Sequence, residues 1–69
     1  MTRVLKARQY RRVIVTLKSG QAFAGLLYEH DRVALVLRDV KTVDRGGDHI
    51  PVDGEVVLLN TEVDYIQVP

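Results

Sequence analysis

The chain has 69 residues, of which 46% are hydrophobic and 28% charged, with a formal net charge of +1. A chain of this length holds one domain and leaves no room for a second core. It has no cysteine, which excludes disulfide staples and Cys-type zinc sites, and its two histidines, His30 and His49, are too few for a metal constellation.

Apolar residues are abundant for so small an interior, and association with further copies is the usual way such a chain is stabilised. The charge is unevenly placed. Arg3, Lys6, Arg8, Arg11, Arg12 and Lys18 crowd the first 18 residues with no acid among them. Asp53, Glu55, Glu62 and Asp64 lie in the last 20 with no Lys or Arg. This asymmetry fits either a nucleic-acid patch at the basic end or head-to-tail attraction between identical subunits. No signal peptide, lipidation motif or membrane-length apolar run is visible, so a cytoplasmic location is expected, or the host cytoplasm if the chain is viral.

In chain order, Thr2 is placed to cap a short helix over about residues 3–10, with Val4, Leu5 and Ala7 on its apolar side. An extended basic arm over residues 1–11 is the alternative. Its cations are either a solvated face or a phosphate-binding one. Residues 12–69 read as a barrel. Arg12 to Leu17 is a β-branched strand with Val13, Val15 and Leu17 on one face, closed by a Ser19-Gly20 turn. Gln21 to His30 is a second strand in which Gly25 shares a face with Phe23 and Leu27, and a glycine inside a strand marks a bend or a close backbone approach.

His30-Asp31-Arg32 is a turn, and Val33, Leu35 and Leu37 then alternate inward against Ala34, Val36 and Arg38. Asp44 to Asp48 is a loop, and Pro51 makes His49 to Val52 either an edge strand or irregular chain. Glu55 to Leu59 is a fourth strand, Asn60-Thr61 a short connection, and Val63 to Val68 a fifth. The fold class is all-β: a short N-terminal helix followed by a five-stranded, strongly bent SH3-like barrel. If the inward residues fill the core, Ile14, Val36, Val57, Leu59, Val63 and Tyr65 are surplus, and an apolar strand edge must be paired or covered. A ring in which the fourth strand of one copy pairs with the fifth of the next resolves this.

This pattern resembles the Sm-like family, which includes eukaryotic Sm and LSm proteins, archaeal Sm proteins and bacterial Hfq. The residues carrying the resemblance are Leu17, Gly20, Phe23, Gly25, Leu27, Asp31, Val33, Leu35, Leu37 and Asp39 in a first motif, and Leu58 to Ile66 in a second. It implies a homo-oligomeric ring, hexameric or heptameric, with a subunit interface through Val56, Val57, Leu58, Leu59, Val63 and Tyr65. It also implies RNA as a ligand. Family members that bind U-rich RNA in the lumen use a stacking ring, an Asn and an Arg. Those positions are Val33, then Leu35 or Ala34, and Leu59 here, with Asn60 where the family has Gly. The usual nucleotide pocket is therefore rewritten.

What remains for RNA or single-stranded DNA is the basic N-terminal face: Arg3, Lys6, Arg8, Arg11 and Arg12 with Tyr10 interleaved. The alternative function is a structural or assembly ring, for example a phage or mobile-element component, with protein partners only. No enzyme activity, cofactor, metal, membrane or small-molecule substrate is expected, because no nucleophile–base pair or acid–base pair stands in a plausible cleft.

Overall fold

A computed structural model describes residues 2–44 and 46–69. A short helix α1 (Thr2–Lys6) precedes strands β1 (Arg12–Leu17), β2 (Ala22–His30), β3 (Ala34–Val43), β4 (His49–Val52), β5 (Val56–Leu59) and β6 (Val63–Gln67), with a 3₁₀ turn at Asn60–Glu62. All pairings are antiparallel. The sheet order is β4-β3-β2-β1-β6, and β5 also pairs with β3. The all-β reading holds, with one refinement. His49–Val52, expected as either an edge strand or irregular chain, is a strand, so β4 lies on the second half of β3 and β5, the expected fourth strand, on its first half. Between them, at Asp53-Gly54, the glycine turns the chain with a φ of 77°.

The bend has two sources in the sequence. An added Cβ on Gly25 would stand 3.1 Å from the Arg38 carbonyl oxygen and 3.1 Å from Val40 Cγ2. A side chain there would push β3 back by a few tenths of an ångström, so glycine favours the close approach of β2 and β3. Opposite it, Asp39 takes a left-handed φ of 51° and the β2–β3 register shifts between Ala24 and Leu26. Such an extra residue bends the bulged strand and raises its twist. It also resets the alternation, so the buried residues of β3 are Leu35, Leu37 and then Val40. The strand runs on to Val43, beyond the Arg38 expected from the sequence.

Leu5, Val13, Val15, Leu27, Leu35, Leu37, Val40 and Leu58 form the core, with Leu17, Phe23, Val52, Val56, Val63, Ile66 and Val68 packed against it. Two expected positions are corrected. Val33 is 65% exposed rather than inward, because it lies in the β2–β3 turn and the alternation of β3 begins at Ala34. Val63, expected on the outside, packs against the core as β6 leaves the 3₁₀ turn. Of the apolar residues expected on one side of the helix, only Leu5 is buried, while Val4 and Ala7 are exposed.

The helix is also shorter than expected. Thr2 is already helical, its side chain and expected capping role lie outside the described part, and the helix stops at Lys6. Residues 7–10 form turns that end at Tyr10, whose φ is 67°. A left-handed residue closes many helices, though usually it is glycine. Here the Tyr10 N–H donates to the Leu27 carbonyl at 2.7 Å and the Leu27 N–H to the Arg11 carbonyl at 3.0 Å, an exchange that holds the strained residue in place.

Candidate nucleic-acid interface and assembly edges

α1 and the turns after it put the basic N-terminal residues beside β2, where the Gln9 side-chain amide donates to the Tyr28 carbonyl oxygen at 2.9 Å. Arg3, Lys6, Arg8 and Arg11 form no ion pair among the described residues, so their charge is uncompensated. The Arg8 guanidinium donates to the Val4 carbonyl at 2.9 Å, one turn back. Tyr10 is 64% exposed and meets Tyr28 edge to face, with ring centroids 6.1 Å apart.

Arg12 differs from the other cations of this set. Its guanidinium is paired with the Asp39 carboxylate and also donates to the Asp39 carbonyl at 3.2 Å. That hydrogen bond and charge hold the Asp39 carboxyl below the usual carboxylate range. Two residues that the sequence alone did not single out belong to the same face. Arg38 stacks on Tyr28, its Cζ 3.6 Å from the ring centroid, and pairs with Glu55 at 3.3 Å. The outward position of Arg38 was legible in the alternation of β3. Its contact with Tyr28 depends on the strand register and was not.

The positions where the resemblance places a nucleotide pocket come together where the start of β3 pairs with the end of β5, beside the two adjoining turns. Asp31 Oδ1 accepts the N–H groups of Val33 and Ala34 at 2.7 and 2.9 Å. The Ala34 and then the Val33 N–H hold this carboxyl below its ordinary range. The Asn60 side chain donates to the Asp31 carbonyl at 2.9 Å, and its main-chain N–H donates to the Val33 carbonyl at 2.8 Å. Asp31 is thus occupied with turn geometry. Val33 stands exposed where a stacking ring is expected, and Ala34 is paired with Leu59 in the strand register.

β5 and β6 close the two ends of the curled sheet. Among the described residues β5 pairs only with β3 and β6 only with β1, which leaves one edge of each strand unpaired. Val57, Leu59 and Tyr65 are each half or more exposed on these strands. Val56 and Val63 turn toward the core and Leu58 is buried in it, so those three offer their main chains rather than their side chains to an edge. Among the described residues no group of side chains is suited to a metal ion, and no helix is long and apolar enough to cross a membrane.

No known protein-family model matches the sequence, and no curated protein matches it. Solved structures do. The P. aerophilum Sm protein heptamer is 23% identical with a TM-score of 0.88, over 100% of this chain and 92% of that one. The Pyrococcus abyssii Sm protein in complex with a uridine heptamer is 26% identical with a TM-score of 0.87, over 99% and 96%. A heptameric archaeal Sm protein is 24% identical with a TM-score of 0.86, over 97% of both chains. With the motif order from Leu17 to Asp39 matched by a bent barrel of this extent, the chain is an Sm-like protein in its fold.

Proposed function

We propose that the chain assembles into a closed homo-oligomeric ring and binds RNA or another single-stranded nucleic acid through its basic N-terminal face. The observation that carries the assembly is the pair of unpaired strand edges at opposite ends of one sheet. An unpaired edge exposing Val57 and Leu59 on β5 is an aggregation hazard alone, and the free edge of β6 in a second copy is its natural complement. Head-to-tail contacts of this kind either close into rings or run on as filaments. The heptamers formed by two of the similar Sm proteins support closure.

Around such a ring each subunit contributes the uncompensated charges of Arg3, Lys6, Arg8 and Arg11, with the exposed ring of Tyr10 beside them. Cations track a phosphate backbone without reading sequence, and an aromatic face accepts any base. The uridine heptamer bound by the similar Pyrococcus protein supports RNA as the ligand. In this chain the lumenal turns offer Val33 and Leu59 in place of stacking and guanidinium groups, so the outer basic face is the better candidate. A binding module, rather than an enzyme, is the role this geometry supports.

A ring with protein partners only is the second reading, favoured by the exposure of Val33 at the rewritten pocket. Fluorescence anisotropy with labelled oligo(U) separates the two. Binding at ~50 mM salt that weakens as salt is added, and is lost in Arg8→Ala/Arg11→Ala, supports nucleic acid. An absence of binding at that salt favours the structural ring.

A further inference from the structure

Two arginines of the basic face differ from the rest in being covered by carboxylates of their own chain. Arg12 on β1 and Arg38 on β3 both pair in register with Leu26 of the intervening β2, so they share one face of the sheet, two strand spacings or about 10 Å apart. The Asp39 carboxylate takes one amino group of Arg12 while its main-chain carbonyl accepts the other at 3.2 Å, and Glu55 takes one amino group of Arg38 at 3.3 Å. The Arg38 guanidinium also rests on the Tyr28 ring, its Cζ 3.6 Å from the ring centroid. A guanidinium fork takes a carboxylate and a phosphodiester by the same geometry, two parallel N–H groups to two oxygens.

Both ion pairs are exposed, with side chains from 45% to 69% accessible, so they are held together only weakly. A strand that presents several phosphates at once competes with such pairs. Tyr28 meanwhile keeps the Arg38 fork oriented when its carboxylate leaves. Resting on the nucleic-acid reading above, we propose that Arg12 and Arg38 form a phosphodiester-binding pair masked by Asp39 and Glu55. The two carboxylates occupy the places of incoming phosphates and set the affinity and salt response of the face.

The test removes each mask while leaving its arginine. Asp39→Asn suits the left-handed backbone at that position, since Asn tolerates it as Asp does. Glu55→Gln keeps the side chain's length. Asp53→Asn is the control, removing a carboxylate that forms no ion pair among the described residues. With the assembled protein and labelled oligo(U) at ~50 mM salt, D39N and E55Q should each bind about two- to fivefold tighter than the parent, and D53N should change less. Each unmasked arginine that gains a phosphate should also steepen the dependence of log K on log salt, by up to about 0.7. Affinities that rise no more in D39N and E55Q than in D53N would overturn the proposal.

A second readout is independent of nucleic acid. In an NMR titration with pyrophosphate, the Arg12 and Arg38 Nε–H resonances should shift at lower concentration in D39N and E55Q, respectively, than in the parent. If oligo(U) fails to bind every form but these shifts appear, the masked anion site stands and the nucleic-acid reading falls. Resonances that respond alike in parent and variants would remove the site itself.

Discussion

The side-chain amide of Asn60 donates to the main-chain oxygen of Asp31 across 2.9 Å, tying the 3₁₀ turn before β6 to the turn between β2 and β3. The main-chain N–H of Asn60 makes the parallel bond to Val33. Sm-like relatives have glycine at this position by the resemblance of the second motif, so the asparagine adds a tether where glycine has none. Asn60→Gly should therefore destabilise the folded chain by about 1 kcal/mol, the net worth of one such hydrogen bond. Urea unfolding followed by circular dichroism at a fixed protein concentration checks this.

Asp31 and Asp39 give the protein an acid limb of defined sign. Both carboxyls are held below their ordinary range in the folded chain, Asp31 by the N–H groups of Ala34 and Val33 and Asp39 by Arg12. The unfolded chain binds protons at these sites first as pH falls. Their contribution is thus complete above the ordinary carboxylate pKa of about 3.9 and is lost as pH drops through the lowered values. Asp31→Asn keeps an acceptor for the two N–H groups but does not titrate. Its Tm should fall less than that of the parent between pH 5 and the acid end of the transition, measured by thermal melts across that window.

Gly25 is the most sharply constrained glycine of the barrel. A methyl group there meets the Arg38 carbonyl and Val40 Cγ2 at 3.1 Å each, and the carbonyl belongs to a paired strand that cannot move freely. Gly25→Ala should cost about 1–3 kcal/mol, as overpacking of a filled interior does. Chemical denaturation again measures it. Gly46→Ala, whose nearest neighbour is 3.4 Å away, is the matched control.

The order of strands, the glycine bend and the inward residues of β1 and β2 were legible in the sequence, because period-two alternation and turn chemistry are local signals. The resemblance supplied the family, while the pairing of distant strands within the chain came only with the structure. Three further features were not legible. Asp39 in a left-handed conformation resets the alternation of β3, so Val40 enters the core by a bulge that no periodicity announces. The helix ends at Lys6 because Tyr10 and Arg11 exchange hydrogen bonds with Leu27, a contact set by tertiary position. The pairing of Arg12 with Asp39 and of Arg38 with Glu55 spans distant parts of the chain, so a sequence count of basic residues overstates the free charge of this face.

Leu58 and Leu59 are adjacent but should respond oppositely to substitution. Leu58 is 7% exposed within its own subunit, whereas Leu59 is 50% exposed on the strand with the free edge. Leu58→Ala should destabilise the subunit by about 2–5 kcal/mol through the cavity it leaves. Leu59→Lys, like Val57→Lys, should leave the secondary structure intact and dissociate the assembly. Circular dichroism and light scattering on the same samples distinguish loss of fold from loss of ring.

The proposed pairing of β5 in one copy with β6 in the next, closing a ring, is read out in the mass of the intact protein in solution. Multi-angle light scattering at micromolar concentration should give a single species several times the 7.8 kDa of one chain. Native mass spectrometry should resolve it as one fixed number of subunits. A well-folded monomer of 7.8 kDa under the same conditions would contradict that pairing.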